Sequence, residues 1–344
     1  MSLVGIIANP SSGKDIRRLV AHAVVAGNRE KVSLLRRMLV GLHAAEVADV
    51  QIMPDRFGLG RQAIHELGRT QPEVVKAVRL LEMSCAGNRS DSLRAASILR
   101  ELGAGCILTL GGDGTVGAVA KGSGDVPILA VSMGTNNVVP QFIEGTIAGL
   151  AAGIVARQGW KEEDGWCYRA KRIEVSVNGQ VVNNALVDVA AVAGSHVGTR
   201  AVWEPDTLRQ IVVTRASPSS IGLSAIIASM HIISEEDAFG AVARVGGDGP
   251  VTDVLTALAP GLVAHVRIAE LTLLPPDRPW PVVPERPLLL ALDGERDIGL
   301  FPDDQAFFTL RTGGPRIVRA ERVMEEAARR HLFVSQGAAP RDLA

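Results

Sequence analysis

The sequence predicts an α/β plus β fold: an N-terminal doubly wound α/β domain joined to an antiparallel, β-rich second domain. Three observations carry this reading. Over the first third, short apolar runs alternate with segments whose apolar residues recur at helical spacing. Beyond residue 165 the pattern becomes a series of strand-like pieces divided by turn residues. A charged helix-like segment at 321–331 then closes the chain.

The elements follow in order. Residues 4–8 form a buried-type strand, Val32, Leu35, Leu39 and Leu42 share one helical face, and 50–53 is the next strand. A helix at 92–102, a strand at 107–110, a helix start at 115–121 and a strand at 128–131 complete a βαβα series. Such a series implies a parallel sheet whose ligand crevice lies at the carboxyl ends of the strands. Strand-like pieces then follow at 172–177, 181–182, 186–192, 210–214, 263–274, 288–292 and 307–311, with a proline-rich connector at 275–287. The helix at 321–331 and residues 332–335 after it are of α/β type, so the chain is expected to return to the first domain. The expected bounds are 1–145 with the returning tail 316–344, and 146–315 for the β-rich domain.

At 344 residues the length suits roughly two domains. Lys and Arg at 36 against Asp and Glu at 37 leave no basic field, and aromatics at 3% leave few stacking platforms, so nucleic acid is excluded as a partner. Cys85, Cys106 and Cys167 are odd in number and form no CxxC pair, which fits a reducing compartment. The opening MSLVGIIANPSSGK lacks a basic n-region, and no run reaches the ~18 apolar residues of a membrane span. A cytoplasmic protein with no membrane partner is expected.

The richest stretch in chemistry is 106–115, CILTLGGDGT. Gly111, Gly112 and Gly114 free the backbone for φ > 0 and bring bare amides close to a ligand, and the helix behind them adds a positive partial charge. That suits nucleotide phosphates. Asp113 would repel phosphate unless it faces a substrate hydroxyl or a cation; the plainer alternative is a glycine turn with a helix-capping Asp. Gly112, Gly114 and Gly117 also satisfy GxGxxG, but the loop follows several strands instead of opening the first βα unit. Residues 9–14, NPSSGK, end like a P-loop, yet Ala8 stands where its first glycine belongs and Asp15 where Ser or Thr should be.

Four motifs now stand in order: NPSSG after the first strand, GGDGT, MGTNN at 133–137, and LDGE near residue 293. In this order they resemble the ATP-NAD kinase family and its diacylglycerol and sphingosine kinase relatives. The opening GIIANPSSGKDIRRLVAHA with VGTRAVWEP and SIGLSA looks closest to its acetoin-catabolism protein X branch. The resemblance implies a C-terminal β-sandwich, ATP with Mg²⁺ in the cleft between the domains, transfer of the γ-phosphoryl group to an alcohol, and a homodimer or homotetramer. It assigns Asn9, Gly13, Gly111, Gly112, Gly114, Thr115, Gly134, Thr135 and Asn137 to the nucleotide. Asp113 would orient or deprotonate the acceptor hydroxyl, with Glu295 as a second catalytic acid and Asp293 beside it at the substrate; the metal ligands stay open. The DG of 293–294 also reads as a plain hairpin turn.

Where NAD kinases usually offer Asn, and an Asn-Glu or Asn-Asp pair, this chain has Ser132 and Val187-Asp188. The Val187 side chain cannot hydrogen-bond, so NAD itself is a doubtful acceptor. Asp188, Arg200 and Trp203 are candidates for the acceptor pocket. Two other functions remain open, a nucleotide-binding accessory protein without transfer and a lipid kinase, the latter weakened by the lack of a basic, aromatic membrane-docking surface.

Overall fold

The computed structural model describes residues 2–10, 27–134, 137–194, 205–247 and 249–334. The chain opens with β1 (Leu3–Ala8), α1 (Asn28–Ala44), β2 (Asp49–Ile52), α2 (Leu59–Gly68), β3 (Val78–Leu80), α3 (Ser90–Glu101), β4 (Cys106–Gly111), α4 (Asp113–Ser123), β5 (Ile128–Ser132), α5 (Gly145–Gln158) and β6 (Cys167–Arg169). Every residue of β1, β4 and β5 is buried, as expected for strands covered by helices on both faces. One core layer joins the sheet to α1, α2 and α5, and the other joins it to α3 and α4. Helices α1 and α5 approach closely through glycines: a Cβ on Gly41 would strike the Thr146 carbonyl, and one on Gly149 the Met38 carbonyl.

The β-rich part runs through β7 (Arg172–Val177), β8 (Gln180–Ala185), β9 (Asp188–Ala193), β10 (Leu208–Val213), α6 (Leu223–Ala228), β11 (Gly240–Val245), β12 (Thr252–Ala259), β13 (Leu262–Leu274), β14 (Trp280–Val282), β15 (Leu288–Leu292), β16 (Glu295–Leu300) and β17 (Ala306–Arg311). They form two antiparallel sheets, ordered β12-β13-β11-β10-β9-β15-β16 and β14-β17-β7-β8. Ile173, Val175, Val189, Val212, Leu290 and Phe308 interdigitate between them, which makes this part a sandwich. The outer face of the larger sheet is covered in part by α6 through Ile226 and Ile227.

The chain then returns through β18 (Arg316–Val318) and α7 (Ala320–Arg329). The first sheet is therefore ordered β3-β2-β1-β4-β5-β18-β6, with β18 parallel to β5 and antiparallel to β6. Two details differ from the sequence reading. The returning strand precedes the last helix, whereas 332–335 contributes no strand among its described residues. Helix α5 and strand β6, assigned from the sequence to the second domain, belong to the first, because α5 packs on α1 and β6 extends the sheet. Among the described residues no helix is long and apolar enough to cross a membrane.

Deleting 316–344 removes an interior strand of the first sheet and bares the face of α5 on which the fully buried Val323 and Ala327 pack. The truncated chain is expected to melt at least 10 °C lower or to be insoluble, which a thermal melt or expression test reads directly. A melt like that of the intact chain would make the tail dispensable.

Candidate functional site

In this sheet order the chain leaves β1 toward β2 and leaves β4 toward β5, on opposite sides. The gap between the carboxyl ends of β1 and β4 is thus the point where an open α/β sheet forms a ligand crevice. Two sequence motifs meet there. The Asn9 amide donates to the Leu110 carbonyl at 3.0 Å, and its side chain donates to the Thr115 hydroxyl at 3.0 Å. Beneath them Lys31, fully buried on α1, donates to the Asn9 and Pro10 carbonyls at 3.1 and 2.8 Å.

The glycine loop departs from its expected reason. Gly111, Gly112 and Gly114 are all absent from the positive-φ glycines, and Gly112 is extended at φ −101°, ψ −174°. What Gly111 and Gly112 supply is space: a Cβ on Gly112 would sit 2.7 Å from Asn137 Oδ1, and one on Gly111 would strike the Thr115 side chain. Gly112 is also the residue ahead of α4, and among the described residues no side chain caps that helix. First-turn amides of this kind, with the helix dipole behind them, are groups an anion can use. Arg89, just ahead of α3, adds a cation that donates to the Gly114 carbonyl at 3.2 Å.

Asp113 is therefore not the helix cap. Its two carboxylate oxygens accept the amides of Val138 and Val139, at 2.9 and 2.8 Å, in the loop after β5. In the same loop Ser132 Oγ accepts from Asn137 Nδ2 at 2.7 Å and donates to the Gly134 carbonyl, fastening Asn137 over Gly112. Burial pushes the Asp113 carboxyl up to about 6; the neighbouring Asp293 charge adds to this, while the two amides and Arg215 oppose it.

Asp293 arrives from the sandwich, in the turn between β15 and β16. Asp293 and Gly294 have φ of 48° and 83°, the backbone of a two-residue hairpin turn, so the plain reading of this DG is correct for the main chain. The side chain does more. It accepts the amides of Leu186, Val187 and Asp188, the Val187 bond being 2.8 Å, and so ties the entry of β9 to this turn. One of its oxygens lies 3.4 Å from where a Cβ of Gly117 would stand, one helical turn beyond Asp113 on the same face of α4. Burial raises the Asp293 carboxyl also, against those three amides.

Asn9, Gly111, Gly112, Asp113, Gly114, Thr115, Gly134, Asn137 and Asp293 thus converge. Asp188 is buried at the start of β9, its amide on Asp293. Glu295 opens β16, paired with Leu292, and its side chain lies outside the described residues, as do Gly13, Thr135, Arg200 and Trp203. Val187 is 1% exposed and packs in the core beside Leu186, Val138 and Val139. The sequence reading passed over Lys31, Arg89 and Arg215. Lys31 carried a signal, a cation on the otherwise apolar face of α1; the hydrogen-bond partners of Arg215, Tyr168 and Val138, are 47 and 77 residues away in sequence, which no local pattern reveals.

A sequence profile for the ATP-NAD kinase N-terminal domain matches residues 4–159, and one for the acetoin catabolism protein X C-terminal domain matches 171–313. The chain is similar to acetoin catabolism protein X of Cupriavidus necator, 36% identical over 97% of this chain and 94% of that protein. Among solved structures, yeast NADH kinase complexed with NADH is similar at TM-score 0.49 and 14% identity, covering 99% of this chain and 90% of that one. A putative diacylglycerol kinase from Bacillus anthracis str. Sterne is similar at TM-score 0.45 and 12% identity, over 92% and 97%.

Proposed function

Since this chain belongs to the acetoin catabolism protein X family and carries an ATP-NAD kinase N-terminal domain, we propose that it is an ATP-dependent phosphotransferase acting on the hydroxyl of a small molecule. The observation that carries the reading is the position of Asp113, a carboxyl pushed up to about 6 on the first turn of α4 at the sheet's switch point. Bound MgATP would supply the γ-phosphoryl group. The residues fit it: the Asp113 and Gly114 amides, the glycine space and Thr115 suit the phosphates. Among the described residues no three His, Cys, Asp or Glu side chains converge on a metal. Mg²⁺ would come with the nucleotide, held largely by its phosphate oxygens, as it commonly is.

Asp113 would take the proton of the acceptor hydroxyl on a carboxylate oxygen. At neutral pH it is mostly ionised, yet basic enough to pull on an alcohol proton, and the Val138 and Val139 amides hold it in place. NAD is disfavoured as the acceptor. Val187 turns its side chain into the core and Ser132 is occupied in fastening Asn137, so neither position presents a carboxamide to a ligand. The name of the relative favours a hydroxyketone or diol of the acetoin type.

The test is incubation with ATP and Mg²⁺ against NAD, NADH, acetoin, butanediol, glycerol and diacylglycerol, read by mass spectrometry. A phosphorylated hydroxyketone or diol is the expected product. Phosphorylated NAD or diacylglycerol would reassign the acceptor; ATP bound without any product would favour the accessory-protein reading.

A further inference from the structure

Arg215 follows β10 in the sandwich, yet its guanidinium reaches the loop that holds Asp113. One terminal nitrogen donates to the Val138 carbonyl and the other to the Tyr168 hydroxyl at 3.1 Å, with Glu235 at 3.6 Å. The side chain is only 17% exposed. Glu235 is held in turn by Arg319, 3.4 Å away at the head of α7, and Arg319 lies over the Tyr168 ring at 4.9 Å. The guanidinium thus bridges β6, the loop after β5 and the segment before β11. A rigid fork of donors makes such a bridge; a lysine ammonium does not.

The Val138 carbonyl and the Val139 amide belong to one planar peptide unit and point in opposite directions. Arg215 grips one edge of that unit, and the other edge donates to Asp113 at 2.8 Å. Fixing the carbonyl therefore fixes the amide, and the cation polarises the same peptide.

We infer that Arg215 is a positioning residue for Asp113: reaching across from the sandwich, it sets the 138–139 peptide that holds the carboxylate, so the α/β unit has its base in place only while the sandwich is docked. The charged groups around this link are few among the described residues. Asp113 faces Asp293 and Arg215, with Arg89 near Asp293. Arg215 faces Glu235 and the Tyr168 hydroxyl, with Lys171 close by; that ammonium is itself held by the Ser234, Asp237 and Phe239 carbonyls.

The inference rests on Asp113 being the base, and the experiment separates the two. Arg215→Met and Arg215→Lys are compared with the wild type for slow MgATP hydrolysis across pH and for the ¹³C titration of the Asp113 carboxyl, assigned with Asp113→Asn. In Arg215→Met, kcat is expected to fall about ten-fold or more with KM for ATP within about two-fold, and the Asp113 titration to move up by roughly one pH unit. Arg215→Lys keeps the charge without the fork, so it should recover part of the titration and little of kcat. A folded Arg215→Met protein whose Asp113 titrates as in the wild type overturns the inference, whether or not ATP is hydrolysed. Absence of hydrolysis in the wild type would instead count against the phosphotransferase reading and leave the titration result standing. Should Arg215→Met not fold, Tyr168→Phe removes one anchor of the guanidinium; a smaller shift in the same direction supports the inference, and none overturns it.

Discussion

Asp113→Asn is expected to lower turnover by about 10²–10⁴-fold while the chain stays folded and binds ATP at least as well as before. The substitution keeps the shape and removes the carboxylate proposed as the base. It has a stability cost that a simple capping role would not carry: both carboxylate oxygens accept backbone amides, and the carboxamide turns an NH₂ toward one of them. Losing one such bond costs about 1–3 kcal/mol of stability, which is comparable to the roughly 3–5 kcal/mol of barrier that a 10²–10⁴-fold loss represents, so folding and turnover are measured separately. A melting curve measures the first and a turnover assay the second. Near wild-type turnover in the folded variant would remove the base from Asp113.

Gly112→Val is expected to weaken ATP binding by at least about 100-fold, measured by calorimetry with Mg²⁺ present. Backbone strain is not the reason, because φ −101° and ψ −174° suit any residue. The added Cβ alone would stand 2.7 Å from Asn137 Oδ1, so the larger side chain displaces Asn137 or the backbone at the start of α4, beside the amides assigned to the phosphates. Asn137 is fastened through Ser132, so it yields only with the loop that also holds Asp113. Wild-type affinity in a folded Gly112→Val protein would place the nucleotide elsewhere.

Much of the first sheet was legible because its buried strands are continuous apolar runs ending in turn residues, as in CILTL before the glycine loop. Helix α5, GTIAGLAAGIVARQ, was missed for the opposite reason. It packs on α1, the sheet and α7, so it is apolar nearly all round and shows no amphipathic period. Strand β12 was missed because Leu255, on its outward face, is an exposed apolar residue that blurs the alternation of Val254, Thr256 and Leu258. At the candidate site, local spacing pointed to the glycines and Asp113 but gave another geometric reason for the glycines: Gly111 and Gly112 make room, and none of Gly111, Gly112 and Gly114 adopts left-handed backbone. The clasp of Asp293 on the β9 entry joins residues more than 100 apart, and the grip of Arg215 on Val138 spans 77. Contacts of that separation are set by the assembled fold and leave no local trace.

A base at Asp113 beside a nucleotide loop would show itself in the pH dependence of kcat for MgATP hydrolysis. A base must be ionised to work, so the rate should rise with pH through about 6 and level off above 7, and this acid limb should vanish in Asp113→Asn. A wild-type rate that is flat from pH 5 to 8, or an acid limb that persists unchanged in Asp113→Asn, would contradict the account.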